Sequence, residues 1–148
     1  MSHHGVGQGP WIMADLENGL FGSNQSASPE PSLSGKAFVT AMVKGDSNNH
    51  WAIKGGDAAA GKLSTLYDGV RPCTVPNPKH EADCKHPPNY NPMRKQGGLI
   101  LGVGGDNSHG AIGTWFEGVV TTGYSSDAVD DAVQASIVGA GWHAQPPS

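Results

Sequence analysis

The sequence has few charged residues and no concentration of positive ones. Asp, Glu, Lys and Arg make up 15% of the 148 residues, whereas globular chains average about 25%. Nine Lys and Arg stand against 13 Asp and Glu, so the formal net charge is −4. Because the basic residues are scattered, the electrostatic patch that binds nucleic acid or an anionic membrane is missing. We therefore expect an uncharged partner.

Long apolar runs are also missing. No run approaches the roughly 18 residues that a membrane span requires. The first residues, Met1-Ser2-His3-His4, have neither the basic segment nor the apolar segment of a secretion signal. We expect no membrane association, and no export signal is visible in this chain.

Cysteine is scarce, and both residues, Cys73 and Cys84, lie in a proline-rich stretch over 71–92. Their spacing suits a local disulfide and indicates an oxidising compartment. Two free thiols are the alternative, because a sequence does not show pairing. Together with His80 and His86 the cysteines match no standard zinc spacing. A stretch of this length is either functional or an insertion, and we favour an insertion.

Glycine, in contrast, is abundant. The chain has 22 glycines, about double the usual share, which favours turns and strands over helices. Six segments rich in β-branched or aromatic residues are bounded by Gly, Asn, Ser or Pro, as strands are. These predict one all-β sandwich domain with strands over residues 10–17, 36–44, 50–56, 62–69, 98–106 and 113–123.

One helix is predicted near the end of the chain, within 125–141. Three aspartates over 127–131 crowd its first turn, where the helix dipole favours negative charge. Val129, Val133 and Ile137 recur every four residues, so we expect an apolar stripe that lies on a sheet. We assign this helix a structural role only.

Two carboxylates interrupt the first predicted strand. Side chains alternate across a strand, so Asp15 and Glu17 share one face, while Ile12 and its alternate neighbours form a core face. The α-carbons of the two acids would lie roughly 6 to 7 Å apart. Like charges at that separation repel each other, which is unfavourable unless a function requires them.

A third acid, Asp106, ends the predicted strand 98–106. Gly102 and Gly104 share its face, and they leave open backbone on which a ligand can lie. Acids on neighbouring strands of a concave sheet are what a retaining glycosidase needs, with its two carboxyl groups about 5 to 5.5 Å apart.

Structural roles for the same acids stay open. Asp15 and Glu17 could end a strand at the rim, and Asp106-Asn107 could form a hairpin turn. Glu117 is expected to make a buried structural hydrogen bond rather than to act in catalysis.

The amino-acid sequences of five longer segments identify a family more specifically than any short motif does. They run in order through nearly the whole chain and closely resemble the catalytic domain of α-L-arabinofuranosidase B, glycoside hydrolase family 54: "GPWIMADLENGLF" (9–21), "FVTAMVKG" (38–45), "HWAIKGGDAAAGKLSTLYDGVRP" (50–72), "YNPMRKQGGLILGVGGDNS" (90–108) and "GTWFEGVVTTGYSSDAVDDAVQASIV" (113–138). The resemblance implies a concanavalin-like jelly-roll sandwich with one C-terminal helix. It also implies removal of terminal α-L-arabinofuranosyl units with retention of configuration.

The resemblance assigns roles to the acids. Glu17 in "ADLEN" is similar to the family's nucleophile, and Asp106 in "GGDN" to its general acid/base. Asp15 and Asn18 fall where the family binds sugar hydroxyls, and Gly105 where a backbone group touches the furanose. On this interpretation Asp15 holds a hydroxyl beside the attacking Glu17, which accounts for the crowding of like charges.

The resemblance also implies the setting of the reaction. We expect arabinose-containing plant polysaccharides such as arabinan and arabinoxylan as partners, a monomer, an extracellular location, and neither metal nor organic cofactor. Asn24 begins a glycosylation sequon, which has meaning only in a protein secreted by a eukaryote.

Departures from the family pattern concern length. The first half of the family domain is absent, with an adjacent Cys-Cys pair and a Trp whose place is taken by Ser2. The arabinose-binding module that usually follows is absent too, and 71–92 is not a family feature. We therefore expect residues 1–148 to be a partial catalytic domain from a gene fragment, a split gene product or a truncated reading frame. A non-catalytic, lectin-like sandwich and an inactive truncation product are the alternatives.

Overall fold

Three β-strands and one α-helix make up the regular structure in the part of the chain that the structure describes. A computed structural model describes residues 12, 33, 35–48, 50–70 and 113–144. In this part we find no helix with the length and apolar character of a membrane span. The elements are β1 (Val39–Gly45), β2 (His50–Asp57), β3 (Ser64–Val70) and α1 (Asp127–Gly139). The strands form one antiparallel sheet in the order β1-β2-β3.

The turn between β1 and β2 is stabilised by Asp46. Its carboxylate accepts hydrogen bonds from the backbone N–H groups of Asn48 (2.7 Å) and His50 (3.0 Å). Its own N–H donates to the carbonyl of His50 at 3.0 Å. Aspartates favour turns for this reason, since the side chain satisfies the amides that the turn exposes. The backbone hydrogen bond from His50 is also the main reason that the pKa of Asp46 is lowered.

The apolar core lies on one face of the sheet. Trp51 and Ile53 of β2 contact Leu66 and Tyr67 of β3, and Ile12 packs against them. Alternation along β2 sends every second side chain to this face, so a strand with Trp51 and Ile53 two residues apart has one apolar face. The interpretation that Ile12 faces a core is confirmed.

A β-bulge in β3 adds a residue to this core. Lys54 pairs with Thr65, whereas the next residue back, Ile53, pairs with Tyr67. Leu66 is the extra residue, so two residues of β3 oppose one of β2. As a result the consecutive residues Leu66 and Tyr67 are both buried in the core cluster.

Most of the predicted elements in the described ranges are confirmed. The predicted strands 36–44, 50–56 and 62–69 correspond to β1, β2 and β3, with ends that differ by up to three residues. The predicted helix is α1. A β-rich fold with a helix near its C-terminal end is therefore present. The predicted strand 98–106, and all of 10–17 except Ile12, lie outside the described residues.

The predicted strand over 113–123 is wrong. Residues 113–121 belong to no strand or helix and are exposed. A sequence rich in β-branched and aromatic residues forms a strand only where a neighbour takes its backbone hydrogen bonds, and the described residues supply none. The expectation of a buried hydrogen bond at Glu117 is also wrong, because that residue is exposed.

The predicted apolar stripe of α1 is wrong at Val129. That residue is 52% exposed, Val133 and Ile137 are half-buried, and the buried residues of the helix are Asp130 and Gln134. The Gln134 side-chain amide donates to the carbonyl of Asp57, at the end of β2, at 2.8 Å. Polar contacts of the two buried residues therefore help to hold the helix on the sheet.

Removing the Ile53 side chain should destabilise the sheet. Ile53 is completely buried, whereas Val43, its direct partner on β1, is 43% exposed. We expect Ile53→Ala to lower the free energy of unfolding by about 2 to 5 kcal/mol, because it leaves a cavity. Urea unfolding followed by circular dichroism measures this loss. The matched control Val43→Ala should cost less than about 1 kcal/mol, and equal losses would show that Ile53 is no better packed than its exposed partner.

Candidate functional site

The residues predicted to bind and cleave the sugar lie outside the described part of the chain. This applies to Glu17, Asp106, Asp15, Asn18 and Gly105. Their convergence on one hollow therefore stays a prediction. The stretch 71–92, with Cys73 and Cys84, also lies outside, so the disulfide stays a prediction too.

The described residues contain a buried charged cluster between the sheet and α1. Lys44 of β1 and Lys54 of β2 project from the face opposite the apolar core. They share it because Lys54 pairs with Met42, two residues before Lys44 on the same strand. Their side chains are only 5% and 6% exposed. Lysines are almost never buried in this way unless an acid accompanies them.

The first turn of α1 supplies the acids. Ser126 caps the helix, and its side chain accepts a hydrogen bond from the N–H of Val129 at 3.4 Å, as serine commonly does at this position. Asp127 and Asp130 follow in the first turn, where the helix dipole favours carboxylates. Asp130 is completely buried, whereas Asp127 is exposed.

The geometry of the cluster is that of charge-assisted hydrogen bonds. Asp130 Oδ2 lies 2.5 Å from Lys44 Nζ and 2.8 Å from Lys54 Nζ. Asp127 Oδ1 lies 2.5 Å from Lys54 Nζ and 3.3 Å from Lys44 Nζ. The Ser125 hydroxyl donates to Asp130 Oδ1 at 2.5 Å, and Lys44 Nζ donates to the Ser125 carbonyl at 2.9 Å. Two lysines and two aspartates balance, so no net charge is left in the cluster.

The pKa values follow from these contacts. Burial by itself raises the pKa of Asp130, but hydrogen bonds from Lys44 and Lys54 outweigh it and lower the pKa to about 2. Burial likewise disfavours the charged form of Lys54, yet hydrogen bonds to Asp127 and Asp130 raise its pKa above the ordinary value. The hydrogen bond from Lys54 is the main reason that the pKa of Asp127 is lowered. The ionised forms of Lys54, Asp127 and Asp130 are therefore favoured.

Three further side chains connect the cluster to the surface. Lys44 Nζ lies 4.4 Å from the centroid of the Tyr124 ring, a cation–π contact. Tyr124 stacks on His50 with 5.0 Å between ring centroids, and His50 Nε2 lies 2.5 Å from Asp68 Oδ1. Burial is the main reason that the pKa of Tyr124 is raised.

The arrangement of the cluster suits a structural role. Its charges are paired with one another, and no group of three His, Cys, Asp or Glu side chains in the described ranges could hold a metal ion. Sequence analysis missed it because each lysine stands in a strand that also carries apolar residues. The available signal was the spacing, which puts both lysines on the face without Trp51 and Ile53, opposite an acid-rich helix start.

Comparison with known proteins decides which family the chain belongs to. Residues 1–143 match the family model described as "Alpha-L-arabinofuranosidase B, catalytic". The chain belongs to the alpha-L-arabinofuranosidase B catalytic family. The resemblance drawn from the five segments is thereby confirmed.

Curated relatives and solved structures of the family extend the match. The probable alpha-L-arabinofuranosidase B of Aspergillus flavus is 53% identical over 138 residues, which cover 92% of this chain and 24% of that protein. The alpha-L-arabinofuranosidase of Hypocrea jecorina is 51% identical over 144 residues, 96% of this chain and 26% of that protein. The chain thus spans about a quarter of the length of these relatives.

Solved structures of the family are similar to this chain. The arabinofuranosidase complexed with arabinofuranosyl-alpha-1,2-xylobiose has a TM-score of 0.70 and 45% identity to this chain, covering 93% of this chain and 26% of that one. A GH54 α-L-arabinofuranosidase soaked with a cyclic sulfate inhibitor gives the same values. At this identity the family's site residues can be carried over as proposals.

Neutralising Asp130 should destabilise the family domain. We expect Asp130→Asn to lower the free energy of unfolding by about 3 kcal/mol, because it leaves buried lysine charge without its main partner. Urea unfolding measures the loss. Asp131→Asn removes an adjacent exposed carboxylate and should stay within about 0.5 kcal/mol of the parent. Equal effects of the two substitutions would show that the cluster does not hold the helix.

Acid should weaken the same cluster. The pKa of Asp130 is about 2 in the folded protein and about 3.9 in an unfolded chain. Between these values the unfolded state binds more protons, so stability rises with pH. We expect this stabilisation to be complete above about pH 5 and to be lost as pH falls through 4 towards 2. Chemical unfolding across this range should show a shallower dependence in Asp130→Asn, and an unchanged slope would contradict the assignment.

Proposed function

We propose that this chain carries the two catalytic carboxylates of a retaining, exo-acting α-L-arabinofuranosidase. The observation that supports this most directly is the family match over residues 1–143, which includes both Glu17 and Asp106. Relatives that are 51% to 53% identical are named as arabinofuranosidases. The chain covers about a quarter of their length, so the activity is proposed for the domain to which this sequence contributes.

The proposed reaction is a double displacement. Glu17 attacks the anomeric carbon of the arabinofuranosyl unit, while Asp106 donates a proton to the departing glycosidic oxygen. Asp106 then removes a proton from water, which attacks the anomeric carbon and releases Glu17, so configuration is retained. Asp15, Asn18 and the backbone of Gly105 hold the sugar.

The packing of Ile12 supports this use of the first predicted strand. Ile12 contacts the core that Trp51 and Ile53 form on the sheet. If residues 10–17 form the predicted strand, alternation of its side chains would place Asp15 and Glu17 on the face that Ile12 does not use. The acids would then point away from this core, where a sugar can reach them.

The proposed substrates are terminal α-L-arabinofuranosyl units of arabinan and arabinoxylan. One solved relative is complexed with an arabinofuranosyl-xylobiose, which is chemically a piece of arabinoxylan. We further propose a concanavalin-like jelly-roll sandwich acting as an extracellular monomer, with a disulfide between Cys73 and Cys84 and no cofactor. Uncharged polysaccharide agrees with the scarcity of charged residues.

Substitution of the two acids tests the proposed roles. Glu17→Gln should lower kcat/KM for 4-nitrophenyl α-L-arabinofuranoside by at least about a thousandfold, because no covalent intermediate can form. Asp106→Asn should spare this activated leaving group much more than an arabinofuranosyl-xylobiose, whose departing oxygen needs the proton. The control Asp131→Asn changes an exposed carboxylate on α1 and should leave both rates unchanged.

Two outcomes would contradict the proposal. Turnover that survives Glu17→Gln would exclude Glu17 as the nucleophile. Binding of arabinan by the folded parent chain without turnover, in the presence of the rest of a family catalytic domain, would favour the lectin-like alternative.

A further inference from the structure

Two consecutive glycines interrupt the central strand of the sheet. Gly55 and Gly56 end the buried run of β2, whose sequence is "HWAIKGGD". Glycine weakens the interior of a strand, so its presence there often marks a place where another part of the chain approaches closely. Because side chains alternate along a strand, the two glycines open opposite faces of the sheet.

Gly56 opens the face that α1 covers. A methyl group added at Gly56 would lie 2.9 Å from the carbonyl oxygen of Lys62 and 3.5 Å from Nε2 of Gln134. The first of these distances is shorter than the contacts that Cβ atoms make in proteins. The missing side chain at Gly56 therefore lets the helix and the connection between β2 and β3 approach the sheet, which is a structural role.

Gly55 opens the apolar face, and Ile12 occupies the space. A methyl group added at Gly55 would overlap Cδ1 of Ile12, and it would lie 3.4 Å from Leu66 Cδ1. Trp51 and Ile53 precede Gly55 on the same face, and Ile12 packs against their cluster. Ile12 thus lies in a recess above Gly55 and beside Leu66, which we call the Ile12 recess.

The place of Ile12 in the sequence connects this recess with the proposed catalytic acids. Ile12 is three residues before Asp15 and five before Glu17. Five residues span at most about 18 Å even when fully extended, so a fixed Ile12 restricts where the backbone of Glu17 can lie. Displacement of a reacting group by about 1 Å can lower a rate about a hundredfold.

We propose that Gly55 is a positioning residue for the nucleophile. The missing side chain at Gly55 admits Ile12, and the packed Ile12 fixes the segment that carries Glu17. This inference rests on the proposed function, in which Glu17 attacks the sugar. Gly55 does not touch the substrate in this scheme and acts only through Ile12. An added volume at Gly55 should therefore be compensated by an equal volume removed at Ile12.

An exchange of volume between the two residues tests the proposal. Gly55→Val fills the Ile12 recess with a residue that suits a strand, and Ile12→Ala removes about as many carbon atoms from the recess. In the assay used for Glu17→Gln, we expect Gly55→Val to lower kcat and kcat/KM alike, at least about tenfold, because attack by Glu17 occurs only in the transition state. The double variant should return to within about threefold of the parent, since volume-conserving exchanges are tolerated best.

Gly56→Ala is the matched control at the neighbouring position. It should destabilise the fold through the Lys62 carbonyl, but it lies on the opposite face from Ile12. At a temperature well below the melting temperature of each variant, its kcat should stay within about twofold of the parent. A purely structural Gly55 would behave in the same way, with a lowered melting temperature and an unchanged kcat.

A milder pair keeps the test decisive where Gly55→Val does not fold. Gly55→Ala adds less volume, and we expect it to lower kcat at least about threefold, because the Ile12 side chain must shift to make room. Ile12→Val removes about the same volume and should reverse that loss in the double variant.

Three results would overturn the proposal. These are an unchanged kcat after substitution of Gly55, a loss that the smaller residue at position 12 does not reverse, and an equal loss in Gly56→Ala. Any of them beside an inactive Glu17→Gln would contradict the positioning role and leave the proposed reaction standing. Turnover that survives Glu17→Gln would contradict the proposed reaction, and the positioning role with it.

Discussion

Two buried lysines of the sheet and one buried aspartate of the helix must stay together, because removal of any one leaves charge in the protein interior without its partner. Asp130 accepts from both Lys44 and Lys54, so it fixes the helix start over two strands at once. Gln134, one turn later, fixes the helix again through the carbonyl of Asp57. The position of α1 is thus set by a few directional contacts.

This arrangement divides the sheet into two unlike faces. The charged face is covered by α1, and the opposite face carries the apolar cluster of Trp51, Ile53 and Tyr67. Because the two faces of a strand alternate residue by residue, a slip of one position would exchange them. The bulge at Leu66 and the Asp46 turn therefore matter to the fold, since they keep Trp51 and Ile53 on the face against which Ile12 packs.

Much of the described fold follows from local rules. Segments rich in β-branched or aromatic residues and bounded by turn residues predicted β1, β2 and β3. The three aspartates over 127–131 predicted the start of α1. The predicted stripe of α1 was wrong at Val129 because Lys44 and Lys54 pair with Asp130, which turns the next position of the helix towards the sheet. Such long-range pairing leaves no periodic signal in the sequence of either element.

Residues 113–121 and the sugar site were unequally predictable. Propensity correctly indicates that 113–121 is suited to a strand, but strand formation also requires a neighbour, and no property of the segment supplies one. The roles of Glu17 and Asp106 were inferred from the resemblance of whole segments to the family. Side-chain alternation along a strand predicts the face on which an acid lies, but not its distance from another acid. Family membership, now established over residues 1–143, supports those roles more strongly than the pattern alone.

The contacts that join helix and sheet also have consequences for the order of folding. Lys44 and Asp130 are 86 positions apart in sequence, and Lys54 and Asp127 are 73 apart, whereas the Asp46 turn closes over four. Loop closure costs more entropy as the loop lengthens, and non-local contacts slow folding. The sheet of β1, β2 and β3 is therefore expected to form early, and α1 to pack on it last. Pulsed hydrogen exchange during refolding would reveal this order, and simultaneous protection of both would argue against it.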